Sequence, residues 1–101
     1  SINGVETWIH HDMPEDDIFL AEAITTRLDA IAGIKSRGVK GVSMTDSEED
    51  YRLNRNTRCV SCLVELGFMS NANDNRLITE KPEETASAIS DGIMEYLNSR
   101  K

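Results

Sequence analysis

The longest apolar run in the chain, at residues 59–66, carries one carboxylate near its end and then breaks at a glycine. The run reads CVSCLVEL and is followed by GFMSN. Its apolar residues show little alternation, which is typical of a buried strand in a parallel sheet that helices cover on both faces. Because ligands in open α/β sheets bind beyond the carboxyl ends of the strands, Glu65 is a candidate functional residue. The alternative is a carboxylate that merely faces water at a strand end.

The composition is that of one soluble globular domain. The chain has 101 residues, of which 39% are hydrophobic and 29% charged, enough for a modest core. A net charge of -7 argues against nucleic acid as a partner, because phosphate binding needs clustered Lys and Arg. No apolar run approaches the roughly 18 residues of a membrane span, so no membrane-spanning segment is expected. The first residue is Ser1 rather than Met, which suggests a processed product, a truncated chain or a piece of a longer one.

Hydrophobic periodicity predicts the main helices. Apolar residues at three- and four-residue steps indicate a helix from Asp17 to Ala32, with Gly33 as its C-cap. A last helix is predicted to begin at Pro82, because proline and acidic residues favour the first helical turn. The expected buried residues of the first helix are Ile18, Ala21, Ile24, Leu28 and Ile31, and those of the last are Ala86, Ile89, Ile93 and Leu97, with Ala88 and Met94 beside them.

The strands are less evenly marked. Residues 1–11 alternate with period two and predict a strand. Residues 33–56 are the least regular part, in which 34–40 is basic and glycine-punctuated, 43–50 is a polar acidic loop and 51–56 has weak strand character. With the run at residues 59–66, about three strands and two main helices make an α/β fold the simplest interpretation.

Two pairs of potential metal ligands can also be interpreted as ordinary structural or surface residues. On an extended strand, Cys59 and Cys62 would lie about 10 Å apart, beyond the roughly 7 Å that a disulfide allows. They are interpreted as buried structural thiols. Adjacent strand residues face opposite ways, so at most one of His10 and His11 would enter a given site. A surface pair beside Asp12 is the favoured interpretation, and a small metal or redox protein built on these four residues is the least favoured.

Several blocks, taken in order, resemble one known family. They are GVETW at 4–8, RGVK at 37–40 and LVELGFMSN at 63–71, followed by Ile89, Gly92-Ile93 and Tyr96-Leu97. Together they resemble the zinc-dependent N-acetylmuramoyl-L-alanine amidases of bacterial cell-wall hydrolases and phage endolysins. The resemblance implies an α/β fold with a central, mainly parallel sheet flanked by helices. It also implies hydrolysis of the peptidoglycan amide between N-acetylmuramic acid and L-alanine. The implied location is extracellular or the cell wall, or, for a phage endolysin, the cell wall after release of the protein from the cytoplasm.

The same resemblance implies that Glu65 is catalytic. In the family, a zinc-bound water attacks the amide carbonyl, and this glutamate takes the proton and passes it to the leaving amine. A carboxyl that serves both steps works best with a raised pKa. The apolar frame of Val64, Leu66 and Phe68 would favour such a rise by disfavouring the charged form.

The metal ligands are where this chain departs from the family. Two histidines and a glutamate hold the zinc in the family, all upstream of the GVETW block, and no residue of this chain matches them. Residues 1–101 are therefore expected to be a single domain or the carboxyl-terminal half of an amidase catalytic domain. Zinc is expected for the complete domain, and the isolated chain is expected to be inactive. The alternative is a non-catalytic peptidoglycan- or protein-binding module of the same fold. Hydrophobic surface left by missing strands would favour self-association or pairing with the missing half.

Overall fold

A three-stranded sheet and two helices make up the described part of the chain. The structure is a computed structural model that describes residues 4–31, 36–41, 59–66 and 79–100. Its elements in chain order are β1 (Val5–Ile9), α1 (Glu15–Asp29), β2 (Ser36–Gly41), β3 (Leu63–Glu65) and α2 (Pro82–Ser99). The strand order is β2-β1-β3, so β1 is central. The predicted α/β fold with three strands and two main helices is confirmed.

The sheet is mixed, because β1 pairs in parallel with β2 and antiparallel with β3. The prediction that residues 59–66 form a strand parallel to its neighbour was therefore wrong. The run does alternate: Cys62, Val64 and Leu66 pack against the hydrophobic core that α1 shares with β1. Leu63 and Glu65 consequently face the other side of the sheet, since successive strand residues point to opposite faces. Apolar residues on both faces of the strand made this alternation invisible in the sequence.

Strand β2 lies in a segment where the sequence predicted irregular, glycine-punctuated structure. Its parallel register with β1 shifts by one residue, from Val5 opposite Ser36 to Thr7 opposite Val39. Three steps on β2 thus match two on β1, which is a β-bulge. Gly38 lies inside it with a φ of +85°, a conformation that glycine adopts without strain. Pairing with the central strand supplies the stability that local propensity lacks here.

Helix α1 buries the predicted stripe but has different ends. It begins two residues before the predicted start, directly after Pro14, and ends at Asp29. Its C-cap is Ala30, and Gly33 lies outside the described residues. The helical residues Ala21, Ile24 and Leu28 are buried, as is Ile31 just beyond the helix. Of these, Ile24, Leu28 and Ile31 form a core with Val5 and Ala88, whereas Ile18 is only half-buried.

Helix α2 begins at Pro82, as predicted, but buries only part of the predicted stripe: Ala88 is buried and Ile89 packs against the core, whereas Ala86 is exposed. Its buried residues are Thr85, Ala88 and Gly92, while the predicted stripe residues Ile93, Met94 and Leu97 are 40–50% exposed. The reason is the closeness of the two helices. A Cβ added at Gly92 would lie 2.7–2.9 Å from atoms of Ile24, so only small residues fit on this face of α2.

Several expectations fall outside the described residues. They are the loop at 43–50, the weak strand at 51–56 and the GFMSN part of the family block. Within the described residues, neither helix has the length and hydropathy to cross a membrane.

Candidate active site

Glu65 is the last residue of β3 and lies beside the central strand. Its register partner on β1 is Glu6, with Trp8 opposite Leu63. Because β3 is antiparallel to β1, Glu65 lies level with the amino-terminal part of β1. It does not lie at a carboxyl edge shared by parallel strands, as parallel pairing had predicted. The alternation in β3 and its contact with Glu6 place the Glu65 side chain on the sheet face opposite the helices.

Glu6 is the most enclosed carboxylate of this face, with a side chain only 9% exposed. Its Oε1 accepts a hydrogen bond from Nε1 of Trp8 at 3.1 Å. Its Oε2 accepts one from Nε of Arg37 at 3.2 Å and lies 3.7 Å from Nζ of Lys40. A further side-chain hydrogen bond joins it to Glu65. Three strands therefore contribute to one cluster of side chains.

The charge state of Glu6 follows from these contacts. Burial by itself would raise its pKa, because desolvation disfavours the charged form. Hydrogen bonds with Trp8, Arg37 and Glu65, together with the positive charge of Lys40, outweigh burial and hold the pKa of Glu6 below its ordinary value. Glu6 is therefore an ionised carboxylate at neutral pH.

In the sequence, Glu6, Trp8, Arg37 and Lys40 are marked only as parts of the family blocks, and a role is predicted for Glu65 alone. Glu6 alternates with the core residues of β1, a pattern that usually indicates a side chain facing water. The available signal was that Glu6 and Trp8 share one face of a strand. The contribution of Arg37 and Lys40 was not visible, because it depends on the register between β1 and β2.

The described side chains around Glu65 do not fit a zinc ion. Arg37 and Lys40 already neutralise Glu6, and their positive charges oppose the binding of a cation beside it. Within the described residues, three or more potential ligand side chains converge only at His10, His11 and Asp12. Those residues follow the carboxyl end of β1, away from Glu65. No zinc ligand is therefore assigned around Glu65.

The two cysteines lie before β3 rather than on it. Both belong to the described residues, and no disulfide joins them. Cys59 is exposed, so the interpretation of two buried thiols was wrong for it. Cys62 is half-buried, and burial, together with the negative charge of Asp17, raises its pKa to about 11. Asp17 also accepts a hydrogen bond from the backbone N–H of Ser61 at 3.1 Å, which ties this segment to α1.

Comparison with known proteins places these observations in a family. A family model described as N-acetylmuramoyl-L-alanine amidase matches residues 1–95. A search of curated proteins finds no match. Among solved structures, AmiC2 of Nostoc punctiforme, an N-acetylmuramoyl-L-alanine amidase, is 28% identical with a TM-score of 0.78, and the match covers 96% of this chain and 49% of that one. The CwlD amidase from Clostridioides difficile, solved in complex with the GerS lipoprotein, is 29% identical with a TM-score of 0.78, over 96% of this chain and 47% of that one.

A third structure supports the fold alone. The N-acetylmuramoyl-L-alanine amidase from Clostridium difficile 630 is 19% identical with a TM-score of 0.82, and the match covers 100% of this chain and 52% of that one. The chain thus spans about half the length of each of these structures. Because the family model covers nearly all of its residues, this chain belongs to the N-acetylmuramoyl-L-alanine amidase family.

Proposed function

We propose that this chain is part of a peptidoglycan hydrolase that cleaves the amide between N-acetylmuramic acid and L-alanine, with Glu65 as general acid and base. The observation that carries the proposal is the hydrogen bond between Glu65 and Glu6, a neighbour that cations hold in its charged form. Membership of the amidase family supports the reaction class. The substrate implies action at the cell wall, either by an extracellular protein or, if the protein is a phage endolysin, after its release from the cytoplasm.

The carboxyl pair accounts for the proton-transfer role. Glu65 lies within hydrogen-bonding reach of Glu6, whose contacts with Arg37 and Lys40 keep it ionised. A neighbouring negative charge favours the protonated form of a carboxyl group, whereas nearby cations favour the ionised form. A carboxyl group placed between these two influences is suited to accept and return a proton.

The reaction then uses one carboxyl twice. As a carboxylate, Glu65 accepts a proton from the attacking water while the water oxygen bonds to the amide carbon. The resulting acid donates that proton to the amide nitrogen as the carbon–nitrogen bond breaks. The products are the lactyl carboxylate of the muramic acid and the free amine of L-alanine. Glu6, Arg37 and Lys40 position Glu65 and set its proton affinity.

Zinc, which the family resemblance implies for the complete domain, is assigned no residue of this cluster and no step here. We propose that its ligands belong to segments other than those around Glu65. Peptidoglycan is the proposed partner. We also propose that this chain pairs with the remaining half of a family domain, which the half-length match to the solved amidases supports.

The test is Glu65→Gln in a complete amidase domain that contains this chain. The substitution keeps the size of the side chain but removes proton transfer. We expect normal folding and a loss of cleavage of at least about 100-fold, the scale of general acid–base catalysis. Release of free L-alanine amino groups from purified peptidoglycan measures the reaction. Retained turnover would overturn the role of Glu65.

A matched control separates catalysis from a general effect of losing a carboxylate. Glu84 is an exposed acid in the first turn of α2, so Glu84→Gln is expected to leave cleavage unchanged. The alternative of a non-catalytic module is favoured by the cations, rather than metal ligands, around the Glu6–Glu65 pair. A complete domain that sediments with peptidoglycan yet releases no amino groups would support that alternative.

A further inference from the structure

His10, His11 and Asp12 lie in a tight turn directly after β1, which ends at Ile9. The backbone N–H of Met13 donates to the carbonyl oxygen of His10 at 2.9 Å and closes the turn. The backbone N–H of Asp12 donates to Nδ1 of His10 at 3.0 Å. The rule that adjacent strand residues face opposite ways therefore does not apply to the two histidines. Their rings lie together, with centroids 4.1 Å apart and an interplanar angle of 30°.

The side-chain atoms of this turn have the spacing of metal ligands. One ligand atom from each residue can be chosen so that all three lie within 4.8 Å of one another. Nε2 of His11 lies 3.4 Å from Oδ1 of Asp12, and Nδ1 of His10 lies 3.6 Å from Oδ2. Bonds of about 2.0–2.1 Å to a tetrahedral zinc ion separate its ligands by about 3.3 Å. The two nitrogen–oxygen distances end on different oxygens of the Asp12 carboxylate, and each is close to the separation of two ligands of one ion.

Burial and charge favour a cation at the same place. The histidine side chains are 20% and 22% exposed, so the fold holds the imidazoles, while the Asp12 side chain is 71% exposed and leaves the site open to solvent. The carboxylate supplies one negative charge, and the chain as a whole carries -7. Imidazole nitrogens select borderline transition metals, whereas Ca²⁺ and Mg²⁺ prefer oxygen ligands throughout.

We infer that His10, His11 and Asp12 bind a divalent transition-metal ion of the Zn²⁺, Ni²⁺ or Cu²⁺ class. Water completes the coordination on the solvent side. His10 Nδ1 then exchanges its hydrogen bond from the backbone N–H of Asp12 for the metal, and water can satisfy that exposed N–H. The ion would cross-link the turn that leads from β1 into α1. This inference uses none of the residues around Glu65 and does not depend on the proposed function.

The experiment is a titration of the 101-residue chain with Zn²⁺ alone, followed by long-range proton–nitrogen NMR of the imidazoles. The chain contains only two histidines, so the signals are assigned directly with His10→Ala and His11→Ala. We expect one nitrogen of each ring to shift together and to saturate near one equivalent of zinc. His11→Gln and Asp12→Asn are each expected to weaken binding at least about tenfold. Asp12→Asn changes an exposed side chain, so it tests the ligand without disturbing the core.

Two controls decide between this site and other donors. The double variant Cys59→Ser and Cys62→Ser removes the thiols and should bind zinc with unchanged affinity. Asp91→Asn removes an exposed carboxylate on α2 and should also have no effect. Histidine signals that do not move at a tenfold excess of zinc would overturn the inference. Zinc binding that persists in Asp12→Asn and is lost in the cysteine variant would also overturn it, in favour of a thiol site.

Discussion

Replacing Gly92 with alanine tests the close approach of the two helices. A Cβ at this position would lie 2.7 Å from Cγ1 of Ile24, 2.8 Å from its Cα and 2.9 Å from its backbone nitrogen. These distances are roughly 0.5–0.7 Å short of the 3.4 Å at which ordinary contact begins. Two of the three atoms belong to the backbone of α1, so a rotamer change cannot relieve the clash. The helices must separate.

The size of the effect is the difference between two opposing terms. Overpacking a close contact destabilises a protein by about 1–3 kcal/mol, and immovable backbone atoms favour the upper end. Alanine gains about 1 kcal/mol over glycine in a helix interior. The net expectation is that Gly92→Ala lowers the free energy of unfolding by about 2 kcal/mol. For a domain of this size, that corresponds to a fall in Tm of about 8–16 °C.

Thermal and urea unfolding, followed by circular dichroism at 222 nm, measure the change. The matched control is Ala86→Gly on the exposed face of the same helix, which should lose about 1 kcal/mol through helix propensity alone. Both substitutions are therefore expected to destabilise, although propensity predicts opposite signs for them. A Gly92→Ala variant as stable as the parent, or more stable, would refute the close packing of α2 on α1.

Two further predictions concern titratable groups. Because the pKa of Cys62 rises from 9.0 to about 11, its thiolate population at pH 8 falls about 100-fold. Iodoacetamide should therefore label Cys62 far more slowly than the exposed Cys59, as measured by mass spectrometry of the peptides. Equal labelling rates would contradict the burial of Cys62. The lowered pKa of Glu6 makes its charged contacts stabilising above pH 4.5, its ordinary value. Glu6→Gln should therefore lower the free energy of unfolding by about 1–3 kcal/mol at pH 7. The difference from the parent should shrink as acid protonates Glu6. Urea unfolding measures it, and a difference that stays constant down to pH 2 would refute the prediction.

The elements that the sequence predicted well are those with a strong local pattern. Proline and two acids mark the start of α2, and alternating residues mark β1. Strand β2 was missed because two glycines and two cations give it weak propensity. Its existence depends on pairing with β1, which no local pattern reports.

Only part of the candidate site could be predicted from the sequence. A carboxylate that ends an apolar run pointed to Glu65, and ordered family blocks gave it a role. Its neighbour Glu6 was assigned no role, because period two in β1 makes it look like a surface residue. The enclosure of Glu6 by Arg37 and Lys40 depends on the register between β1 and β2, and its contact with Glu65 depends on the register between β1 and β3.

The amino-acid sequence by itself determined the two helices, strand β1 and the position of the candidate carboxylate Glu65, because residue spacing and a local carboxylate are properties of the chain alone. Only the tertiary structure decided that β3 runs antiparallel, that Glu6 meets Glu65, that α2 buries its small residues and that a turn brings His10 and His11 together. Hydrophobic periodicity indicates which residues share a face of a helix or strand. What that face meets depends on contacts between residues far apart in the chain, and those contacts set burial, charge state and the placement of ligand atoms.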